Sequence, residues 1–142
     1  MKKLTLISGA ILTTTIFLSG CSSHTNTEKQ AKEAMLNIKP KIAQEYTDFV
    51  SKTRPPKNYN CLDDVRLKEM IGMPGGETQA EYNKIQKACV PYYQKLSEFL
   101  NKKGISGVTK NILIDLNVQA KVHEQSENYQ FSQMGQANTT QK

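Results

Sequence analysis

Three cysteines carry the most specific chemistry in this sequence. Cys21 directly follows an apolar segment near the start of the chain, whereas Cys61 and Cys89 lie in its middle. A thiol can accept a lipid, form a disulfide, bind a metal ion or act as a nucleophile. The residues around each cysteine therefore decide which of these reactions is expected.

An aspartate pair and two histidines are the other residues with potential for catalysis or metal binding. A zinc site needs about four ligands and a cysteine nucleophile needs a neighbouring base, but Asp63 and Asp64 lie far in sequence from His24 and His123. The positive end of a helix explains the aspartates more simply. We predict no catalytic residue, no metal site, no cofactor and no enzyme activity. A deep polar pocket holding both aspartates and His123 would revive the enzyme alternative.

The segment before Cys21 has the composition of an export signal. Two lysines precede an apolar segment at positions 4–17. This segment is shorter than the roughly 20 apolar residues that span a bilayer as a helix, and a short apolar segment after a basic start is typical of a signal peptide. We therefore predict that residues 1–20 are a signal peptide.

The residues Leu18-Ser19-Gly20-Cys21 end this segment and resemble the lipobox of bacterial lipoproteins. The resemblance is confined to the signal and this motif. It implies that the thiol of Cys21 carries acyl chains and that Cys21 begins the mature protein, and two or more chains anchor a protein stably in a bilayer. In that family, a residue other than aspartate after the cysteine, here Ser22, implies transfer to the outer membrane of a Gram-negative cell.

The charge balance fits a position near a membrane better than binding to nucleic acid. The chain has 19 basic and 13 acidic residues and a formal net charge of +6, and two of the basic residues belong to the predicted signal peptide. A mild positive charge suits anionic lipid headgroups. The basic residues are scattered along the sequence rather than gathered in a stripe typical of nucleic-acid-binding proteins. We expect contact with the membrane through Cys21, another envelope protein as partner, no nucleic acid and no small-molecule substrate.

The two remaining cysteines form an even pair in a chain sent to an oxidising compartment. This arrangement favours a disulfide between Cys61 and Cys89. On the chain-entropy view, a loop of this length stabilises the fold by roughly 3–4 kcal/mol when it is closed. That is a large share of the net stability of a small domain.

Apolar residues at helical spacing predict a helical domain over residues 28–123, after a lipidated cysteine and polar tether at residues 21–27. The first helix is predicted over residues 28–52. Pro40 lies within it and removes one backbone hydrogen bond, so it is expected either to kink the helix or to mark the start of a second one.

Two further helices are predicted on either side of a glycine-rich turn. The shorter covers residues 61–71 and the longer covers residues 78–103. The longer helix begins with a capping box formed by Thr78 and Glu81. Pro91 lies inside this helix and is expected to kink it.

The segment that follows, residues 106–123, fits two patterns. Apolar and polar residues alternate over its second half, which is typical of a strand, but Val108, Ile112, Leu116 and Ala120 recur every four residues, as on one face of a helix. We favour the helix because the mature chain contains no second convincing strand to pair with. The strand alternative would require pairing with another protein or another copy of this chain.

Residues 124–142 are polar and are predicted to form a disordered tail. Tyr129, Phe131 and Met134 are its large apolar residues, and they either form a recognition motif or extend the last helix. The expected fold is therefore mostly α: a small bundle of three to four helices with kinks at Pro40 and Pro91, one disulfide and a disordered C-terminal tail.

The expected function is that of an envelope lipoprotein acting as a non-catalytic binding or structural module. Tyrosines are frequent anchors of protein interfaces, so the candidate partner contacts are Tyr59, Tyr93 and Tyr129. The alternative is a lipid-anchored immunity, exclusion or inhibitor protein, which the small size and the disulfide would also fit. An enzyme of unrecognised type is the least favoured alternative.

Overall fold

A computed structural model describes the backbone of residues 20–137 and the side chains of residues 27–137. Residues 1–19 of the predicted signal peptide and the side chain of Cys21 lie outside this range. All regular elements of the described backbone are helical, which confirms the predicted fold class. In chain order they are α1 (Gly20–Leu36), α2 (Pro40–Lys52), a 3-10 turn (Pro56–Asn58), α3 (Asp64–Glu69), α4 (Gln79–Lys102), α5 (Lys110–Ile114) and α6 (Leu116–Ala137).

The first predicted helix is divided into α1 and α2. Pro40 is the first residue of α2, where its missing N–H has no intrahelical partner to lose. Lys39 before it is extended, with φ −67° and ψ 140°, as expected for a residue that precedes proline. Of the two alternatives for Pro40, the structure contains the start of a second helix.

Helix α1 begins earlier than the sequence pattern indicated. Its backbone is helical from Gly20 onward, so the polar residues expected to form an extended tether at 21–27 are part of the helix. No proline interrupts this segment, and its one glycine is at the first position. As a helix, the segment rises about 1.5 Å per residue and is less than half as long as a fully extended tether.

Helices α2 and α4 pack antiparallel through aromatic rings. The rings of Phe49 and Phe99 stack with centroids 4.4 Å apart. One turn earlier in α2, a carboxylate oxygen of Glu45 lies 2.6 Å from Nζ of Lys103, just beyond the end of α4. Glu45 comes before Phe49 in α2, but its partner Lys103 comes after Phe99. The two segments therefore run in opposite directions.

Helix α2 also runs antiparallel to α6. It therefore lies between α4 and α6. Near the start of α2, Gln44 accepts a hydrogen bond from Ser126 at 2.8 Å. Near its end, Ser51 lines the same cleft as Gln119, which precedes Ser126 in α6. Helix α1 packs on the N-terminal part of α6, where Lys32 pairs with Asp115.

The core forms where these helices meet. Its largest completely buried apolar side chains come from α1, α4, α5 and α6, and they are Met35, Leu96, Leu100, Leu113 and Val118. Removing a side chain of this size from water contributes about 1.5–3 kcal/mol. One contiguous apolar cluster therefore holds the helices together.

Both ends of α4 carry specific capping signals. The capping box is present as predicted: the Thr78 hydroxyl accepts from the Glu81 N–H at 3.2 Å, and the Thr78 N–H donates to the Glu81 carboxylate at 2.8 Å. At the other end, Gly104 has φ +88°, and the N–H of Ile105 donates to the carbonyl of Leu100 at 2.9 Å. This pattern is a Schellman motif, which needs a left-handed residue and favours glycine there. Between these ends, α4 continues through Pro91.

Helices α5 and α6 cover residues 110–114 and 116–123 of this segment, and residues 106–109 form no regular element, so the strand alternative was wrong. The segment is nevertheless two helices, because Asp115 is extended and its carboxylate accepts from the N–H of Asn117 at 2.9 Å, as at the start of a new helix. This break changes the helical phase. As a result Leu116 and Ala120, expected on the inner face, are exposed, whereas Val118 is completely buried.

Part of the predicted tail, residues 124–142, is helical, because α6 extends past residue 123. Helix α6 continues to Ala137, with Val122 and Ser126 both buried against the rest of the domain. The segment that includes Tyr129 therefore extends the last helix, which was one of the two alternatives for it. Polar composition misled the prediction because α6 buries few side chains in this region. Residues 138–142 lie outside the described range.

Candidate functional site

Asp64 is the centre of the most elaborate polar cluster in the described structure. Its side chain is only 1% exposed. One carboxylate oxygen accepts from the Tyr82 hydroxyl at 2.6 Å and from the Gln86 side-chain amide at 2.7 Å. The other oxygen lies 2.8 Å from Nζ of Lys68, one turn along α3. A buried carboxylate that accepts hydrogen bonds on both oxygens and pairs with a cation is suited to holding two helices together.

Opposing effects set the pKa of the Asp64 carboxyl. Burial alone would raise it, because a charged group loses its hydration. Hydrogen bonds from Lys68 and Tyr82, together with the positive charge of Lys110, outweigh burial and hold the pKa below its ordinary value. Asp64 is therefore an ionised structural carboxylate at neutral pH, and its charge raises the pKa of Lys68 in turn.

The cysteine pair lies one helical turn from this cluster. The Sγ atoms of Cys61 and Cys89 are 2.10 Å apart and their Cα atoms 5.7 Å apart, which is disulfide geometry. The Tyr93 hydroxyl donates to the carbonyl of Cys61 at 2.5 Å. Disulfide, hydrogen bond and Asp64 cluster together fasten residues 61–64 to one face of α4.

The structure does not bring the two aspartates and His123 into one pocket, which the enzyme alternative would have required. Asp63 is half-buried beside Asp64, accepts a hydrogen bond from Asn60 at 3.3 Å and lines a small cavity with Arg66. His123 lies on α6 with its side chain 69% exposed, 3.6 Å from the carboxylate of Glu127. His24 lies outside the residues with described side chains. Across positions 27–137, no three His, Cys, Asp or Glu side chains form a group that could hold a metal ion.

The three tyrosines expected to contact a partner differ in their burial. Tyr93 is 5% exposed and is fixed by its hydrogen bond to Cys61 and by Lys110, whose Nζ lies 5.7 Å from the ring centroid. Little of Tyr93 is accessible to a partner, because the residue lies on the inner face of α4. Tyr59 and Tyr129 are half-buried, so part of each ring is accessible.

The C-terminal turns of α6 expose apolar side chains. Phe131 is 67% exposed and Met134 is 56% exposed. They lie at positions i and i+3, on one face of the helix. Every residue from 131 to 137 is exposed. We call this pair and the half-buried Tyr129 the apolar end of α6.

Sequence reasoning missed the partners of Asp64. The spacing of Asp64 and Lys68, four residues apart, is a helix-pair signal and was available from the sequence. Tyr82 and Gln86 lie on another helix, and only the folded arrangement brings them to the carboxylate.

Comparison of this chain with protein-family models, with curated proteins and with solved structures finds no match. None of the helices in the described part of the chain combines the length and the apolar character needed to cross a bilayer.

Proposed function

We propose that this protein is an envelope lipoprotein, held at a membrane by acyl chains on Cys21, whose helical domain is a non-catalytic binding module. The observation that carries the proposal is the sequence Leu18-Ser19-Gly20-Cys21 directly after a basic start and a short apolar segment. Such a segment is typical of a bacterial lipoprotein precursor, and the outer membrane of a Gram-negative cell is the proposed location.

Two features of the domain support a binding role. The most buried carboxylate, Asp64, already accepts three polar contacts and serves the fold. At the surface, Phe131 and Met134 expose neighbouring apolar side chains, and exposed apolar pairs of this kind are common at protein contacts. We propose another envelope protein as partner and the apolar end of α6, with Tyr59 as a second contact, as the surface that meets it.

Fatty-acid labelling of cells tests the anchor. Cells expressing the full chain are supplied with an alkyne fatty acid, and the purified protein is examined for label. The wild-type chain and a Ser22→Ala control are expected to carry the label, and Cys21→Ala is expected to lose it. Equal labelling of the Cys21→Ala protein would contradict the proposal.

Site-specific crosslinking in cells tests the partner surface. A photo-crosslinking residue at Phe131 is expected to capture a discrete protein partner, and the same residue at Lys39, exposed just before α2, serves as the comparison. Identical crosslinking patterns from the two positions would count against a specific role for the apolar end of α6.

A further inference from the structure

A groove separates the loop after α2 from the exposed face of α4. It encloses about 200 Å³. Its lining residues are Arg54, Pro56, Ala88, Pro91, Tyr92 and Lys95. We call it the basic groove.

Charge is the distinctive property of this groove. Apart from Tyr92, the ionisable side chains that line it are both cations. They are Arg54 on the loop wall and Lys95 on the α4 wall. Lys57 follows a lining residue on the loop, and Lys87 precedes one on α4. None of these four cations forms an ion pair with a described acidic side chain. Two basic residues that are far apart in the sequence, Arg54 and Lys95, are thus brought to one concave site by the fold.

A hydrogen-bonded turn and a disulfide constrain the two walls of the groove. Pro56 begins a 3-10 turn, closed by a hydrogen bond from the Tyr59 N–H to the Pro56 carbonyl at 2.9 Å. Lys57 in that turn has φ +52°, a left-handed conformation that costs a residue other than glycine roughly 1–2 kcal/mol. The disulfide at Cys89 ties α4 to the chain just beyond this loop. A site whose walls are already fixed loses little conformational entropy when it binds.

Shape and charge together select the occupant. A concave slot with cations on both walls suits a narrow anionic segment better than it suits the flat surface of a bilayer. Arg54 can bind a carboxylate with two parallel hydrogen bonds, and Lys95 can pair with a second carboxylate. The apolar floor formed by Pro56, Ala88 and Pro91 can cover the aliphatic part of a side chain.

We propose that the basic groove binds an acidic segment of a partner polypeptide, with Arg54 and Lys95 contacting its carboxylates. This proposal names the partner chemistry of the binding module and in that respect rests on the proposed function. It also places a second contact on the molecule, separate from the apolar end of α6.

Peptide binding to the mature protein in uncharged detergent micelles tests this proposal. The probe is a fluorescein-labelled peptide of alternating glutamate and glycine, followed by fluorescence anisotropy. The variant Arg54→Gln/Lys95→Gln is expected to bind it at least about tenfold more weakly than the wild type. The matched control, Lys29→Gln/Lys39→Gln, removes the same charge from exposed positions on α1 and at the start of α2, and is expected to stay within about twofold.

Three results would overturn the basic groove as a peptide site. They are the absence of peptide binding by the wild type, an equal loss in both variants, and a loss in the groove variant of binding to dihexanoyl-phosphatidylglycerol without a loss of peptide binding. The last result would identify a lipid-headgroup site instead. Thermal unfolding of each variant verifies the fold. The intact mass of the same sample reports acylation of Cys21, so failure of the groove and failure of the anchor are separately visible.

Discussion

The carboxylate of Asp64 illustrates how one residue connects two helices that the sequence keeps apart. It begins α3, yet two of its hydrogen-bond donors, Tyr82 and Gln86, belong to α4. A carboxylate at a helix start is favoured by the positive helix end, which is the role that the sequence suggested. Its burial against α4 adds the larger role of fixing α3.

Replacing Asp64 by asparagine tests this role. The change keeps the shape but removes the charge that Lys68, Tyr82 and Gln86 contact, so we expect a loss of about 1–3 kcal/mol of unfolding free energy at pH 7. For a domain of this size this lowers the Tm by at least about 4 °C. Asp63→Asn is the matched control, because Asp63 has a single long hydrogen bond to Asn60. Equal losses in the two variants would contradict a special role for Asp64.

The same carboxylate predicts a pH dependence of stability. The folded-state pKa of Asp64 is lowered from its ordinary value of 3.8. The group therefore stabilises the fold above that value, and this contribution is lost as the pH falls through the folded-state pKa. Asp115 adds an effect of the same sign, because a hydrogen bond from Lys32 lowers its pKa. Unfolding measured between pH 7 and pH 2 should show a smaller acid loss for Asp64→Asn than for the wild type, and parallel curves would contradict the assignment.

The cysteine pair gives a residue-level prediction about redox state. Neither Cys61 nor Cys89 in the folded protein is expected to react with a thiol label unless a reductant and a denaturant are added, because both are buried and joined. Changing both to serine should cost roughly 3–4 kcal/mol of unfolding free energy. Quantitative labelling of both thiols in unreduced protein would refute the disulfide.

Sequence reasoning identified the cysteine pair but missed the Asp64 cluster for a physical reason. An even number of cysteines in an exported chain leaves few options. A carboxylate, a tyrosine and an amide on two helices have no fixed spacing in sequence, because helix packing determines their approach. The burial of Tyr93 was not foreseen for a similar reason, because helical spacing does not distinguish the half-exposed edge of an apolar face from its centre.

At the scale of the elements, the start of α4 was the most predictable helix end. The capping box at Thr78 and Glu81 is a local signal and is present in the structure. The break at Asp115 was missed because the apolar spacing continues through it, and only the side-chain hydrogen bond to the Asn117 N–H reveals a new start. The length of α6 was missed because its second half contributes few residues to the core.

The C-terminal stop of α4 gives an element-level prediction. Gly104 has φ +88° with open space where a Cβ would be, so Gly104→Ala is strained by backbone conformation alone. We expect a loss of about 1 kcal/mol, measured by chemical denaturation. Gly135→Ala, in the exposed part of α6, is the control and should cause no loss, because alanine favours helix more than glycine does. Equal destabilisation by the two changes would contradict the Schellman motif.

Shortening α6 separates its structural part from its exposed end. A chain that stops after Gln130 loses only exposed residues of the described structure and is expected to keep its Tm. A chain that stops after Lys121 also loses the buried Val122 and Ser126 and should be strongly destabilised. A large loss of Tm in the longer of the two truncated chains would show that the apolar end of α6 serves the fold rather than a partner.

At the scale of the whole molecule, the helical domain has two proposed contact surfaces. The apolar end of α6 and the basic groove lie on different helices and differ in chemistry, so they suit different contacts on a partner or two partners. The proposed lipid anchor on Cys21 would confine both surfaces to the neighbourhood of a membrane and so raise their effective concentration for the proposed envelope partner.

The most direct measurement of the central claim is the intact mass of the mature protein extracted from membranes, followed by fragmentation of its N-terminal peptide. We predict that this peptide begins at Cys21 and carries acyl chains on that residue. A mature protein with an unmodified N-terminal peptide, recovered free of membranes, would contradict it.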